Sequence, residues 1–420
     1  MQLPRSLSLL ALLLFAFTIC SWAQNASQTL EADEVPFDYA STHGKVDFDT
    51  HQPNNHSGAG HTSQGIFGID SLLNFNGEFH ADGVDSNGAP QSKWYYNMIG
   101  QLPQHGGTTV INAPIVPVNV DLLDFDGSVR FHIDVMQYLS NVVNSPVFQN
   151  ATYSSSSTPT QFTDAVQRAE FYNNAKSDWH TLLNPSVKPA RTMRIPRGTY
   201  QFARYSSGPL AGQIAYVLVD YNTFGNLLFP ATETDTTTPI GSAEHAGDIT
   251  TKDLSTFLFP NIYLFGDFGC CVLGYHSYDF EPGNGTKQLA EKRYVVDYSS
   301  WISPGIFRGG FQDITALSHE IAEAYNDPFV VSDGAHNATP WWLAPNGLCQ
   351  NNLETGDVIE GLPNATYPMT MNGFTYHPQN EALLQWFEFQ GSSDAIGNAY
   401  SYPDVTVLTS ISAPQTAGCQ

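Results

Sequence analysis

A histidine and two glutamates lie close together in residues 317–328, which read LSHEIAEAYNDP. His319 and Glu323 are four positions apart, so in a helix both side chains project from one face and can reach one ion. Glu320 lies next around the helix, beside such an ion rather than on it. Imidazole nitrogen and carboxylate oxygen both bind zinc, at about 2.0–2.2 Å. The spacing therefore predicts a metal site with His319 and Glu323 as ligands.

Glu320 gives this metal site a catalytic interpretation. The arrangement is that of the H-E-x-x-H metalloprotease helix, with a carboxylate in place of the second histidine. In such a site the cation polarises a carbonyl and lowers the pKa of water toward about 7, and the neighbouring carboxylate takes the proton. The carboxylate ligand makes the site harder, which leaves divalent metals other than zinc open. The alternative is an acidic surface helix in which His319 caps a neighbour.

A third ligand is expected from a loop downstream of this helix. In residues 349–361, CQNNLETGDVIEG, Glu354 is the first candidate and Asp357 the second; the alternative is an ordinary Asp/Gly turn. A disulfide through Cys349 would hold the loop rigid, as a ligand loop requires. His336 is a further candidate.

Four more side chains are candidates for contact with the oxyanion or the substrate, because histidine and tyrosine can donate hydrogen bonds to developing negative charge. They are His276, Tyr325, Tyr376 and His377. The alternative for each of them is packing in the core. Trp341 and Trp342 fit a pocket wall, a sugar-stacking platform or the core.

These segments resemble the plant phosphate-induced, EXORDIUM-like family, which carries an H-E-L-A-E-x-x-x-x-P helix, a tryptophan and an E-I-x-D-x-C loop. Residues 268–277, FGCCVLGYHS, are similar to that family's cysteine-glycine-x-histidine segment. The chain is also similar to exported bacterial H-E-x-x-E proteins with an S-H-E-[IL]-A-E-A helix. The resemblance implies a zincin-like metal helix in an extracellular protein, with His319 and Glu323 as ligands and Glu320 as the catalytic carboxylate. The loop departs from the plant pattern, because its cysteine precedes the acidic residues.

The N-terminus predicts export. Residues 1–23 combine Arg5, an apolar run and Ser21-Trp22-Ala23, the pattern of a signal peptide cleaved after Ala23. The mature protein would be secreted or periplasmic. The apolar run is too short to span a bilayer comfortably, and no other long one follows. Residues 24–66 are polar and aperiodic, which predicts a flexible arm.

The charge balance restricts the partners. The chain has 40 acidic residues against 16 lysines and arginines, a net charge of −24. Such a field repels nucleic acid and anionic membrane surfaces. Nucleic acid and membranes are therefore not expected as partners. The metalloprotease-like spacing and the resemblance instead imply a peptide or a cell-wall polymer as the substrate.

Four cysteines remain after signal-peptide removal, and an even number in an exported protein favours disulfides. They are Cys270, Cys271, Cys349 and Cys419. Because sequence neighbours rarely pair, we predict that Cys270 and Cys271 bond separately to the other two.

Strands and helices interleave along the rest of the chain. Strands are predicted at 108–123, 212–221 and 261–266, and helices at 131–143, 160–175, 312–326 and 379–389. This mixture predicts a single large α+β domain over 67–420, with long loops. Together with the resemblance, it indicates a zincin-like domain with a mixed sheet and an active-site helix.

The favoured function is a secreted metal-dependent hydrolase, a peptidase that uses Zn²⁺. The alternative is a non-catalytic extracellular or wall-associated protein in which the same carboxylates hold a structural ion.

Overall fold

The computed structural model describes residues 30–32, 72–84, 90–266, 269–281, 292–307, 310–329, 342–350 and 353–411. The strands are β1 (Leu30–Ala32), β2 (Asn74–Val84), β3 (Pro90–Ile99), β4 (Thr108–Leu123), β5 (Val129–Ile133), β6 (His180–Val187), β7 (Arg191–Ile195), β8 (Tyr200–Tyr205), β9 (Ile214–Asp220), β10 (Leu254–Pro260), β11 (Ile262–Gly266), β12 (Gly269–Val272), β13 (Gly274–Glu281), β14 (Lys292–Trp301), β15 (Trp342–Leu343), β16 (Cys349–Gln350), β17 (Met369–Met371), β18 (Phe374–Tyr376), β19 (Glu381–Ala382) and β20 (Ser401–Tyr402). The helices are α1 (Met136–Val143), α2 (Phe162–Glu170), α3 (Tyr221–Leu228), α4 (Pro239–Ala246), α5 (Thr315–Asn326) and α6 (Leu384–Phe387). This mixture confirms the predicted α+β class.

The larger sheet is mixed and is built around the long strand β4. It has the order β13-β14-β10-β4-β5, and β6 and β7 also pair with β4. The pairs β4–β10, β10–β14, β4–β6 and β4–β7 are parallel, whereas β13 runs antiparallel to β14. β10 (LSTFLFP) is buried at every position, as is typical of a parallel strand covered on both faces.

A smaller sheet, in the order β1-β8-β9-β11-β12, packs against the larger one. The main hydrophobic core combines side chains from both sheets with side chains from α3 and α4. Val118 and Val120 of β4 and Val217 and Val219 of β9 all contribute to it. Residues two apart on a strand face the same side, so these alternating valines direct one face of each sheet into the core.

Helix α5 packs on the larger sheet against β13 and β14. The apolar side chains of Leu317, Ile321 and Ala324, which recur at helical spacing, are buried in a second core together with Leu258 and Val295. This apolar stripe fixes the rotation of α5 about its own axis. It thereby also fixes where the polar side chains of the helix point.

Predictions from long periodic segments are confirmed. The strand predicted at 108–123 is β4, and the other two predicted strands are β9 and β11. The helices predicted at 160–175 and 312–326 contain α2 and α5.

The predictions at 131–143 and 379–389 are partly wrong. Residues 129–133 form β5, which pairs with β4, and α1 begins only at Met136. In the second segment, β19 pairs with β20, and only the short α6 is helical. In both places antiparallel pairing with another strand overrides the local preference for helix; for residues 129–133 the partner is the strand directly before them.

The predicted cysteine connectivity is wrong. Cys270 and Cys271 are bonded to each other, with their Cα atoms 3.0 Å apart across a cis peptide bond. The prediction paired them separately because neighbours in sequence rarely form a disulfide with each other. Cys349 also takes part in a disulfide, and Cys419 lies outside the described residues.

The predicted signal peptide, His336 and Trp341 lie outside the described residues as well. So does the predicted arm, except for β1, which pairs antiparallel with β8. In the described part of the chain, no helix is both long and apolar enough to cross a membrane.

Candidate metal centre

Helix α5 contributes three polar side chains to a buried cluster. The Nε2 atom of His319 lies 3.1 Å from Oε2 of Glu323, one helical turn further on, and 3.9 Å from Oε1 of Glu320. Glu320 and Glu323 are almost completely buried, at 4% and 2% exposure. The helix therefore holds the predicted pair as the i, i+4 spacing requires.

Strand β13 brings a second histidine to the same place. Gly274 and His276 lie two apart on this strand and face α5; Nδ1 of His276 is 3.8 Å from Oε2 of Glu320 and 3.7 Å from Oε2 of Glu323. The other ring nitrogen, Nε2, donates a hydrogen bond of 3.0 Å to the carbonyl of Asp327, just after the helix. Such a bond is typical of metal-binding histidines, because it orients the ring and presents the opposite nitrogen to the site.

The loop after β16 closes the cluster with both predicted carboxylates. Oε2 of Glu354 is 3.8 Å from Nδ1 of His276, and Oδ1 of Asp357 is 3.5 Å from Nε2 of His319. The backbone N–H groups of Gly356 and Asp357 donate to Oε1 of Glu323, at 3.0 and 3.2 Å. These bonds fasten the loop to the helix and leave Oε2 of Glu323 facing the histidines.

We call these six residues the histidine–carboxylate cluster: His276, His319, Glu320, Glu323, Glu354 and Asp357. Donor atoms in two subsets, His276 with Glu323 and Glu354, and His319 with Glu320 and Glu323, lie within 4.8 Å of one another. Ligands of one ion at about 2.0–2.2 Å must have about this spacing. The cluster therefore has the donors and the spacing to hold a metal ion.

Burial and charge act in opposite directions on the histidines. Burial alone would lower the pKa of His276, but the carboxylates of Glu320 and Glu323 outweigh it and raise the pKa to about 10. Burial also opposes the charged form of His319, and Glu323 and Glu320 again raise the pKa well above its usual value. Without a bound cation, the neighbouring carboxylates therefore favour the protonated form of both imidazoles.

The carboxyl groups respond differently according to their partners. Burial would raise the pKa of Glu323, but His319 and His276 lower it below its ordinary value. Burial raises the pKa of Glu320 and, more strongly, that of Asp357. Just outside the cluster, burial also raises the pKa of Asp297 well above its ordinary range. Burying several carboxylates together raises the free energy of the folded state unless a cation compensates their charge.

Three predicted oxyanion or substrate residues have their polar groups engaged elsewhere. The hydroxyl of Tyr325 donates to the carbonyl of Thr181, and that of Tyr376 to the carbonyl of Asn141. Nδ1 of His377 lies 2.7 Å from Oδ2 of Asp313, ahead of α5. These bonds tie elements of the fold together, and the cluster is formed without these three side chains.

The sequence predicted His276 only as an oxyanion or substrate contact, and its place among the candidate metal ligands was missed. Two glycines that make room for the cluster were also missed. A Cβ on Gly274 would lie 2.6 Å from Cγ of Glu320, and one on Gly356 would lie 2.4 Å from Nδ1 of His319. The available signal was the G-x-H spacing in a strand, which puts Gly274 and His276 on one face.

Comparison with known protein families, with characterised proteins and with solved structures gives no significant match. Functional conclusions therefore rest on the geometry of the cluster.

Replacement of Gly356 by alanine is expected to weaken cation binding about 10- to 100-fold, the usual effect of disturbing the support of a ligand. The new methyl group would overlap the ring of His319 and displace it from Glu323. Zinc titration by calorimetry measures the change. Gly391→Ala is the matched control, because a Cβ there meets no atom within 4 Å. Equal affinity in the two variants would contradict the placement of His319 as a ligand.

Cation binding is expected to release protons, since a metal must displace them from the imidazoles. The pKa of His276 is raised from 6.5 to about 10, so the ring keeps its proton between these two pH values. Zinc competes with that proton, and zinc affinity should therefore rise as the pH increases from about 6.5 to about 10. Calorimetric titrations at pH 7, in buffers with different ionisation enthalpies, count the released protons. An observed heat that is independent of the buffer would show that neither imidazole gives up a proton.

Proposed function

We propose that this protein is a metal-dependent hydrolase whose cation is held by the histidine–carboxylate cluster. The observation that carries the proposal is the convergence of two imidazoles and four carboxylates at one buried place. In the described residues, the ion pairs of Glu320, Glu323 and Asp357 are all formed with these two imidazoles. Imidazole nitrogens and carboxylate oxygens in this combination are donors that suit a divalent cation.

The roles of the side chains follow from their positions. His319, Glu323 and Asp357 would hold the cation, with His276 and Glu354 on the other side of Glu323. A cation there would polarise a carbonyl group and make a water molecule more acidic. The two oxygens of Glu320 face the two histidines, which places this carboxylate beside the proposed cation. Glu320 would accept the proton from that water and return it to the leaving group. Its raised pKa suits a general base, which works best when its pKa is near the working pH.

The proposed substrate is a peptide, and the proposed location is outside the cytoplasm. Support comes from the H-E-x-x-E helix packed on a mixed sheet, which fits a zincin-like domain, and from the resemblance to the EXORDIUM-like and exported bacterial proteins. The predicted signal peptide supports export. The net charge of −24 disfavours nucleic acid as a substrate.

A specific observation favours catalysis over a closed structural ion. Glu320, Glu323 and Glu354 are almost completely buried, but the side chains of His319 and Asp357 keep 13% and 24% exposure. Solvent can therefore reach the cluster past His319 and Asp357. A structural site is closed by protein ligands, whereas a catalytic site keeps an open position.

The test is cleavage of a peptide library, followed by mass spectrometry, with chelator-treated protein before and after zinc is restored. We expect cleavage only with the restored metal. Stoichiometric metal without cleavage of any peptide would contradict the peptidase proposal and favour the structural ion of a wall-associated protein. Absence of bound metal would overturn both.

A further inference from the structure

The donor atoms of the cluster fall into two groups that overlap at one residue. His276, Glu323 and Glu354 form one group, and His319, Glu320 and Glu323 form the other. The same oxygen, Oε2 of Glu323, faces both histidines, at 3.7 Å from Nδ1 of His276 and 3.1 Å from Nε2 of His319. The second oxygen of Glu323 is held by the loop amides. One carboxylate oxygen thus lies between two sets of donors.

The two histidines have matching surroundings. His276 faces Glu320, Glu323 and Glu354, at 3.7–3.8 Å. His319 faces Glu320, Glu323 and Asp357, at 3.1–3.9 Å. Each histidine therefore has one carboxylate of its own and shares the other two.

Glu320 spans the two halves in the same way. Its Oε2 is 3.8 Å from Nδ1 of His276, and its Oε1 is 3.9 Å from Nε2 of His319. A carboxylate that turns one oxygen toward each histidine faces two positions at once. This orientation is built in by Gly274, whose missing side chain leaves room for Glu320.

We propose that the cluster binds two divalent cations. His319 and Glu323 hold the first, with Asp357, 3.5 Å from His319, as the further carboxylate. His276, Glu323 and Glu354 hold the second, and Oε2 of Glu323 is shared. This inference rests on the proposed metal-dependent function and deepens it, because Glu320 then faces both ions and can act on a water molecule held between them. Two-metal hydrolytic centres have a separation of about 3.5–4 Å.

The test is the number of ions per chain. Chelator-treated protein is dialysed against zinc, washed free of loosely held ions on a desalting column and measured by elemental mass spectrometry. Two zinc ions are expected in the wild type and in Gly391→Ala. One is expected in His276→Ala and one in His319→Ala. Glu354→Gln repeats the loss of the second ion with a smaller change in shape, and circular dichroism checks that each variant is folded.

A spectroscopic measurement separates shared ligation from two unrelated sites. Manganese ions that share a carboxylate oxygen are magnetically coupled, so the wild type loaded with Mn²⁺ should give a coupled paramagnetic resonance spectrum, and His276→Ala that of an isolated ion. One ion in the wild type, or two uncoupled ions unaffected by His276→Ala, would overturn the two-cation inference and leave the proposed function standing. No bound ion in the wild type would overturn the proposed function itself.

Discussion

Glu323→Gln is expected to weaken cation binding by at least about 100-fold. Loss of a residue that only supports a ligand costs about 10- to 100-fold, and loss of a ligand should cost more. Glu323 faces both histidines through one oxygen, so no other single substitution removes as much of the site. The amide keeps an acceptor for the N–H groups of Gly356 and Asp357, which preserves the loop. Zinc titration with elemental analysis measures the effect.

Glu388→Gln is the matched control for this substitution. Glu388 is a half-buried carboxyl outside the cluster, and desolvation raises its pKa to about 7. The control should bind zinc as the wild type does. If Glu323→Gln retained wild-type zinc content while remaining folded, the ion would have to lie elsewhere.

Glu320→Gln is expected to lower kcat/KM for a cleaved peptide by about 10²- to 10⁴-fold, the usual contribution of a general base. The amide cannot accept the proton, but it fills the same space beside Gly274. Zinc content should stay at the wild-type level, because the ligand sets of both proposed ions exclude this residue. The measurement pairs peptide kinetics with elemental analysis on the same sample.

Two outcomes would contradict this role for Glu320. Undiminished cleavage would show that another group takes the proton. Loss of metal together with activity would make Glu320 a ligand instead of a base.

Local spacing was sufficient to predict the helical half of the site. The i, i+4 relation of His319 and Glu323, and the position of Glu320 beside them, depend only on the geometry of one helix. Glu354 and Asp357 were also predicted, since they lie in one short acidic loop downstream. The structure brings all five into one cluster.

The part contributed by β13 could not be predicted in the same way. His276 reaches Glu323 because β13 ends the larger sheet beside α5, and that arrangement depends on packing between two elements that are not neighbours in the chain. Tyr325 was a candidate for contact with the oxyanion because a tyrosine hydroxyl can donate a hydrogen bond, but its hydroxyl donates to the carbonyl of Thr181.

In the fold, strand pairing modifies what local patterns predict. The long alternating strand β4 and the amphipathic helix α5 are specified by their own periodicity. Residues 131–133 were included in a predicted helix, but antiparallel pairing with β4 across a short turn makes them part of strand β5. The bond between Cys270 and Cys271 was not predicted, because neighbours in sequence rarely pair.

The central claim is that the histidine–carboxylate cluster binds a divalent cation, and anomalous diffraction from crystals grown with zinc tests it most directly. We predict anomalous density within about 2.0–2.2 Å of Nε2 of His319 and Oε2 of Glu323, with a second peak beside Nδ1 of His276 if two ions bind. The claim would be contradicted if, at saturating zinc, the histidines and carboxylates paired directly with each other and no anomalous density lay between them.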